Sequence, residues 1–251
     1  MNPPVLETKN LCVRFGGVHA LSDVTLKAES SHLTGLIGPN GAGKTTFIDA
    51  VTGFLNPFTR GNVRFAGNDI ETFAAHRRAQ AGLSRTWQSL ELFDDISVAE
   101  NVCLGASRLS FSGAIREYWK GAAVDGNASA VLEQLGLAGV AHRKPKELSL
   151  GQRKLVGVAR ALAAKASFIL MDEPAAGLDS NETIWLGTQL RKIVDEGMSI
   201  LLVDHDMRLV LGTCDVVHVL EFGRLIASGT PEQIRANPRV ASAYLGGGAH
   251  V

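Results

Sequence analysis

The chain has 251 residues, and its 25 basic and 25 acidic side chains leave no net formal charge. A balance of this kind gives no electrostatic basis for wrapping nucleic acid, and 45% apolar residues are typical of a folded globule rather than a disordered chain. The three cysteines, Cys12, Cys103 and Cys214, are odd in number and far apart. We therefore expect reduced thiols and no disulfide framework.

No apolar stretch is long enough to cross a bilayer. The richest runs, residues 200–203 and 216–220, have the length of strands and end at Asp204 and Glu221. The first residues lack the basic and apolar regions of a signal peptide. These observations predict one domain over residues 1–251, in a soluble cytoplasmic chain.

The first third of the chain predicts two kinds of strand. Residues 5–15 are rich in β-formers, Gly16-Gly17 supplies a turn, and residues 24–29 alternate apolar with polar, which predicts antiparallel strands. The short apolar strand 33–37 then runs into a glycine-rich loop and a helix over residues 44–51. Val63 and Phe65 predict another hairpin strand, before a turn at Gly67-Asn68.

The later part of the chain predicts an α/β core. Two apolar strands, 168–171 and 199–203, flank a helix over residues 181–196, which indicates parallel strands buried on both faces. A hairpin that turns at Phe222-Gly223 and a short helix near Pro231 follow.

Residues 101–147 differ, because they predict short helices that contain glycine and alanine. We interpret them as a small helical subdomain inserted into a core formed by about residues 1–100 and 148–251. The expected fold class is α/β, with an antiparallel β subdomain beside the core.

Residues 38–45 fit the phosphate-binding pattern GxxxxGK[ST] in full. Glycines let successive N–H groups point at phosphate oxygens, and the following helix adds its positive end. We expect Lys44 to reach the β- and γ-phosphates of a nucleotide and the Thr45 hydroxyl to ligate Mg²⁺. The alternative is a glycine-rich turn that matches by accident, but strand, loop and helix all occur where the mechanism needs them.

Two acidic residues follow the strand 168–171. Asp172 can hold the water shell of Mg²⁺, and Glu173 can polarise the water that attacks the γ-phosphate. The alternative is that the chain merely reaches solvent at this point.

A second candidate phosphate site lies at residues 148–152, before a helix predicted over residues 153–164. Ser149 and Gly151 at a helix start form an anion-binding end without a lysine, although Ser149 alone would also suit a plain N-cap. Two copies packed head to tail can use such an end, because each copy then closes over the nucleotide held by the other.

These motifs, in this order, make the chain resemble an ATP-binding cassette (ABC) ATPase over nearly its whole length. The resemblance implies ATP and Mg²⁺ as cofactors and a P-loop NTPase core. It implies a Walker A loop of nine residues: Gly38, Pro39, Asn40, Gly41, Ala42, Gly43, Lys44, Thr45 and Thr46. It also identifies residues 148–152 as the signature motif, in which Ser149, Gly151 and Gln152 face nucleotide.

The same resemblance assigns the remaining roles. Asp172 is the Walker B aspartate and Glu173 the catalytic base, while Gln88 is the Q-loop glutamine that contacts Mg²⁺ and the attacking water. Asp179 belongs to the D-loop, and His205 is the switch histidine that senses the γ-phosphate. Taken alone, His205 could also be an ordinary surface histidine.

Phe15 stands where an aromatic ring stacks on adenine in the family. The alternative is that its ring belongs to the core. The two interpretations stay equally open at this point.

Finer similarity points to one branch of the family. Residues 82–88, 172–178 and 243–246 are similar to the ATP-binding subunits of branched-chain amino acid importers, and urea, amide and lipopolysaccharide transporters share much of the pattern. The departures are Ser30-Ser31-His32, Trp87 and Leu150, and by this interpretation none touches a catalytic atom.

The resemblance implies that the chain works at the cytoplasmic face of the inner membrane. Its expected partners are a second cassette, integral membrane permease subunits and an extracytoplasmic solute-binding protein, but no nucleic acid. Residues 89–96, with Leu92 and Phe93, are the candidate contact for the permease, the alternative being that both pack inside the insertion. A soluble regulatory or repair ATPase stays open as a second class.

Overall fold

The computed structural model describes residues 4–55, 60–86, 92–106 and 126–245. One sheet is antiparallel, with strand order β2-β1-β4-β5. Its strands are β1 (Pro4–Phe15), β2 (Val18–Glu29), β4 (Arg60–Phe65) and β5 (Asn68–Asp69).

The second sheet has six strands in the order β10-β9-β3-β8-β7-β6. All neighbours in it are parallel except β10 and β9, which form a hairpin. Its strands are β3 (Leu33–Ile37), β6 (Leu83–Thr86), β7 (Phe168–Asp172), β8 (Ser199–Val203), β9 (Val216–Glu221) and β10 (Arg224–Gly229).

Helices flank the parallel sheet. The described ones are α1 (Lys44–Thr52), α2 (Ala75–Gln80), α3 (Val98–Ala106), α4 (Gly126–Gln134), α5 (Leu150–Ala163), α6 (Ser180–Asp195), α7 (Met207–Thr213), α8 (Pro231–Arg235) and α9 (Pro238–Leu245). Short 3-10 helices occupy Ala138–Val140 and Pro145–Glu147. In the part of the chain that the structure describes, no helix is long and apolar enough to cross a membrane.

Each central parallel strand is buried on both faces, as the apolar runs predict. In β8, Ile200 and Leu202 pack into a cluster with the helices, whereas Leu201 and Val203 pack into a second cluster beneath the antiparallel sheet. Successive side chains of a strand point to opposite faces, so a strand between two cores must be apolar throughout. The α/β fold class is therefore confirmed.

Several element boundaries differ from the sequence-based expectation. Helix α5 begins at Leu150 instead of residue 153, because Ser149 caps it directly. The β4–β5 turn lies at Ala66-Gly67, one residue earlier than predicted. Strand β6 and helices α2 and α7 were not predicted, since polar residues interrupt their apolar pattern. The three cysteines are free thiols, as expected.

Helices α3 and α4 lie within or next to the segment proposed as an inserted subdomain. Their apolar residues, among them Val102 and Leu132, pack with Leu155 of α5 in one buried cluster. This arrangement places α3 and α4 against α5, the helix that begins within the signature motif. The division at residues 101–147 remains our proposal.

Candidate functional site

The glycine-rich loop lies between the end of β3 and the start of α1, at the carboxyl edge of the parallel sheet. Gly43 has a φ of 103°, and a Cβ there would lie 2.7 Å from the Ala20 carbonyl oxygen. A Cβ on Gly38 would lie 2.1 Å from the Leu220 carbonyl oxygen. Only glycine lets the loop press against β2 and β9 in this way.

Lys44, the first residue of α1, folds back over the loop. Its Nζ donates to the carbonyl oxygens of Gly38 at 2.7 Å and Pro39 at 3.1 Å. Burial lowers the pKa of the ammonium, whereas the nearby Glu173 and Asp172 carboxylates raise it. The lysine thus stands between the loop and the acidic residues. Thr45 is exposed beside it.

The Walker B candidate, Asp172, ends β7 and belongs to an ion-pair chain centred on the buried Arg85 guanidinium. Arg85 Nη2 donates to Asp172 Oδ2 at 2.9 Å, and Arg85 Nη1 donates to Asp49 Oδ1 at 2.6 Å. Burial raises the pKa of Asp172, and the hydrogen-bonded Arg85 guanidinium partly offsets this rise. Strands β6 and β7 pair in parallel, which places Arg85 beside the end of β7.

The donor set at this edge fits Mg²⁺. Thr45 offers a hydroxyl and Asp172 a carboxylate whose Oδ2 faces Arg85, so Oδ1 is the oxygen that remains for a cation. Among the residues that the structure describes, no group of three His, Cys, Asp or Glu could hold a metal alone. Such a sparse set suits Mg²⁺, which takes one or two protein oxygens together with waters and phosphates.

Glu173 and His205 come together from the ends of neighbouring strands. His205 Nδ1 lies 3.8 Å from Glu173 Oε1, and its side chain is 58% exposed. Glu173 has a φ of 48°, and its N–H donates to the Val203 carbonyl at 2.7 Å. A glutamate rarely adopts a left-handed backbone, so the surrounding structure must hold it there.

Ser149 caps α5 through a reciprocal pair of hydrogen bonds. Its Oγ accepts from the Gln152 N–H at 3.3 Å, and Gln152 Oε1 accepts from the Ser149 N–H at 3.1 Å. The Gly151 N–H lies 3.5 Å from Glu182 Oε1. The signature end of α5 is therefore joined to the first turn of α6.

The D-loop candidate caps that same helix. The Asp179 carboxylate accepts from the N–H groups of Asn181 at 2.8 Å and Glu182 at 2.9 Å. Through Glu182, the D-loop and the signature end are neighbours. A carboxylate at this position also interacts favourably with the positive N-terminal end of the helix dipole.

The remaining sequence-predicted residues are Phe15, Gln88 and the candidate permease contact. Phe15 is 53% exposed at the end of β1, so its ring is not part of the core. Gln88 falls outside the described residues. Of the candidate permease contact, Leu92 packs against the main cluster, whereas Phe93 is 55% exposed and its ring lies 5.7 Å from the Arg160 guanidinium.

Three charged residues of the site were not singled out from the sequence. Arg85 binds Asp172, Lys154 reaches the backbone at Glu173, and Asp204 accepts backbone N–H groups from two loops. The only signal was position, because Asp204 directly follows an apolar strand and Arg85 interrupts one. Asp172 as the partner of Arg85, Glu173 as that of Lys154 and Ala175 as one of those of Asp204 lie far away in the chain, which is why a motif search does not find them.

Comparison with known proteins agrees with this geometry. A family model described as "ABC transporter" matches residues 21–176, and one described as "Branched-chain amino acid ATP-binding cassette transporter" matches residues 224–250. The branched-chain amino acid transport ATP-binding protein BraF of Pseudomonas aeruginosa is 37% identical over 254 residues, covering 98% of this chain and 99% of BraF. LivG of Escherichia coli K12, which carries the same description, is 36% identical over 255 residues, with the same coverage.

The chain is also similar to an export ATPase and to a solved cassette structure. The lipopolysaccharide export ATP-binding protein LptB of Escherichia coli K12 is 34% identical over 241 residues, covering 96% of this chain and 97% of LptB. The ADP conformation of MJ1267, an ATP-binding cassette of an ABC transporter, superposes with a TM-score of 0.85 at 29% identity, covering 98% of this chain and all of that one. The chain belongs to the ABC transporter family, as an ATP-hydrolysing, ATP-binding subunit.

Proposed function

We propose that this subunit powers the import of branched-chain or other hydrophobic amino acids through separate membrane subunits. The observation that carries the proposal is the near full-length similarity to BraF and LivG, whose descriptions name this transport. The match of residues 224–250 to a model with the same substrate class supports it. Because cargo is selected by other subunits of a transporter, the substrate must be tested in the assembled complex.

In the proposed mechanism, two cassettes face each other head to tail. ATP lies on the loop of residues 38–46 of one copy, and Ser149 and Gly151 of the other copy close over its γ-phosphate. Phe15, exposed at the end of β1, would stack on the adenine. Lys44 would turn from the Gly38 carbonyl to the phosphates, which offer it a charged partner.

The chemistry at the γ-phosphate is assigned to the residues that the fold brings together. Glu173 would accept a proton from the attacking water, and His205, 3.8 Å away, would sense the γ-phosphate and orient that carboxylate. Mg²⁺ held by Thr45, Asp172 and Gln88 would supply charge neutralisation at the phosphates. Asp179 would bring the D-loop of one copy to the nucleotide of the other.

The proposed partners are those that the family resemblance implies. They are a second cassette, identical or related, two permease subunits and an extracytoplasmic solute-binding protein, with the cassettes at the cytoplasmic face of the inner membrane. Closure of the pair would move the region around Gln88 and Phe93 against the permease.

The test begins with a tagged Glu173→Gln protein, which should keep ATP bound. Pull-down with ATP from detergent-solubilised source membranes, read by mass spectrometry, is expected to yield two permease subunits and a second cassette. The Lys44→Ala protein, which should bind ATP weakly, is the matched control and should recover less of the second cassette. Recovery of soluble proteins or nucleic acid alone would contradict the import proposal, although the ATPase chemistry would stand.

The recovered complex then decides the cargo. Reconstituted in vesicles, it is expected to move radiolabelled leucine, isoleucine or valine when ATP is supplied on the cassette side. A second candidate is lipopolysaccharide export, favoured by the 34% identity to LptB. Permeases that move lipopolysaccharide, urea or short amides, but none of the three amino acids, would replace the import proposal.

A further inference from the structure

One buried carboxylate of the site has no role in the mechanism described so far. Asp204 ends strand β8 and is completely buried. Its Oδ2 accepts from the Ala175 N–H at 2.9 Å, and its Oδ1 accepts from the N–H groups of His205 at 2.7 Å and Asp206 at 3.0 Å. Three backbone donors on one carboxylate fix the loops that supply them.

The hydrogen bonds of Asp204 join the two loops that carry the catalytic candidates. Ala175 lies two residues after Glu173, and His205 is itself the switch candidate. Glu173 is held in a left-handed backbone with its N–H on the Val203 carbonyl, one residue before Asp204. The position of the Glu173 carboxylate therefore depends on contacts made by its neighbours.

Lys154 of α5 reaches this cluster from the signature helix. The lysine is only 8% exposed, and its Nζ donates to the Glu173 carbonyl oxygen at 3.4 Å. The Asp204 and Glu173 carboxylates lie near enough to oppose the fall in the ammonium pKa that burial causes. A buried ammonium needs such partners, because an unpaired charge in the interior is costly.

Lys154 and Asp204 thus lie between the two parts of the chain that face nucleotide in the proposed dimer. Helix α5 begins at Ser149 and Gly151, which face the ATP of the opposing copy in the proposed dimer. One turn later, Lys154 of the same helix contacts the loop that carries Glu173 of its own copy. A shift of α5 would therefore move Lys154 and, through its hydrogen bond, the backbone of Glu173.

We propose that Lys154 and Asp204 are positioning residues that make the alignment of Glu173 and His205 depend on the position of the signature helix. The proposal rests on the catalytic role proposed for Glu173. Closure of α5 over the opposing ATP would set Lys154, and through it the Glu173 carboxylate, in the hydrolytic geometry. Misplacement of a catalytic group by about 1 Å can cost roughly 100-fold in rate, so even a small shift matters.

The main test compares the steady-state ATPase activity of Lys154→Met, Lys154→Arg and wild type. Lys154→Met is expected to lower kcat about tenfold or more while KM for ATP changes less than about threefold, because the loop of residues 38–46 is intact. Lys154→Arg, which keeps the charge, is expected to recover kcat to within about threefold of wild type. Lys146→Met, at an exposed lysine of the preceding turn, is the matched control and should leave kcat unchanged.

A double-mutant comparison shows whether Lys154 acts through Glu173. In a Glu173→Gln background, Lys154→Met should lower the residual turnover by less than about twofold, whereas an independent role would reduce it by the full single-mutant factor. ATP-driven dimerisation of that double variant, measured by light scattering, should persist. If Glu173→Gln itself keeps wild-type turnover, the proposed base is wrong, which is a separate outcome from failure of the positioning role.

Asp204→Asn provides a second line, since the amide fits the cavity but one of its ends cannot accept from an N–H. The Asp204→Asn variant is expected to lower kcat about tenfold or more with little change in KM. If Lys154→Met does not fold, Lys154→Gln replaces it. Wild-type kcat in the folded Lys154 variants would overturn the proposal. A loss of kcat that Lys154→Arg fails to recover would also overturn it, and so would a loss of kcat accompanied by loss of dimerisation. Either result indicates a purely structural role.

Discussion

The Arg85 guanidinium forms a buried ion pair with the Asp172 carboxylate, with 2.9 Å between Nη2 and Oδ2. The Arg85 side chain is 7% exposed and also binds Asp49 of α1 at 2.6 Å. The arginine therefore joins three elements, namely the helix after the phosphate loop, strand β6 and the end of β7. The strand that leads to the region of Gln88 is thereby bound to the candidate Mg²⁺ ligand.

We expect Arg85→Met to lower the free energy of unfolding by about 3–5 kcal/mol, because it leaves the largely buried Asp172 carboxylate and the partly exposed Asp49 carboxylate without their cation. For a chain of this size the melting temperature should fall by roughly 6–20 °C. Arg64→Met is the control, since Arg64 pairs with Asp69 at 3.0 Å on the surface and should cost less than about 1 kcal/mol. Equal melting temperatures for the two variants would show that the buried pair does not stabilise the fold.

The Lys44 ammonium leads to a prediction on nucleotide affinity. Lys44→Ala removes a charge-assisted contact to the phosphates, so ATP binding should weaken by about 1.5–3 kcal/mol, or roughly 10- to 150-fold. Titration calorimetry with ATP and Mg²⁺ measures the change. Lys192→Ala, at an exposed lysine of α6, should bind ATP as the wild type does. Unchanged ATP affinity in Lys44→Ala would count against the assignment of residues 38–45 as the phosphate-binding loop.

Glu173→Gln tests the general base. The amide keeps the shape of the side chain but cannot accept the proton, so kcat should fall about 10²- to 10⁴-fold while ATP still binds. Phosphate release measures turnover, and calorimetry confirms that the nucleotide binds. Turnover within about threefold of wild type would remove Glu173 from that role.

Phe93 tests the coupling surface. Its ring is 55% exposed next to α5, and an aspartate there should disrupt an apolar contact with a membrane subunit. In vesicles, Phe93→Asp is expected to reduce transport at least about tenfold, with the ATPase rate of the isolated subunit unchanged. Ile184→Asp, at a still more exposed apolar residue of α6, is the control and should transport normally. Normal transport by Phe93→Asp would place the contact elsewhere.

The parts of the fold that the sequence predicted share one property, namely that their signal is local. Strand β8 is apolar at every position because both faces are buried, and the phosphate loop needs its glycines wherever the chain lies in the fold. Strand β6 was missed because Ser84 and Arg85 break its apolar run. Arg85 is stabilised there by ion pairs with Asp49 and Asp172, which are far away in the chain.

The candidate site also contains residues that local motifs predict and residues whose role arises only from tertiary packing. Its phosphate loop, Asp172, Glu173 and His205 follow from motifs and family resemblance, and the fold brings Glu173 and His205 to within 3.8 Å. Lys154 looked like any polar residue of an amphipathic helix, and Asp204 like any carboxylate at a strand end. Their burial and hydrogen bonds arise only when α5, β7 and β8 are packed together.

His218 gives the stability of the chain a dependence on pH. The imidazole is buried in β9, where Nε2 lies 3.1 Å from the Lys27 carbonyl oxygen and must donate to it, and Nδ1 has no hydrogen-bond partner among the described residues. Burial lowers the pKa of His218 below its ordinary value of 6.5, because a protonated ring would place a second, unsatisfied N–H in the core. The unfolded chain therefore binds a proton that the folded chain excludes.

The sign of the effect follows from this difference in bound protons. The contribution of His218 to the free energy of unfolding is fully present above the unfolded pKa of about 6.5, and it is lost as the pH falls below that value toward the folded pKa. Denaturant unfolding between about pH 7.5 and pH 5.5 should show a shallower decline for His218→Gln, which keeps a donor for Lys27 but does not titrate. His142→Gln, at an exposed histidine, is the control and should retain the wild-type slope. If His218→Gln keeps that slope as well, the pH dependence must come from other groups of the chain.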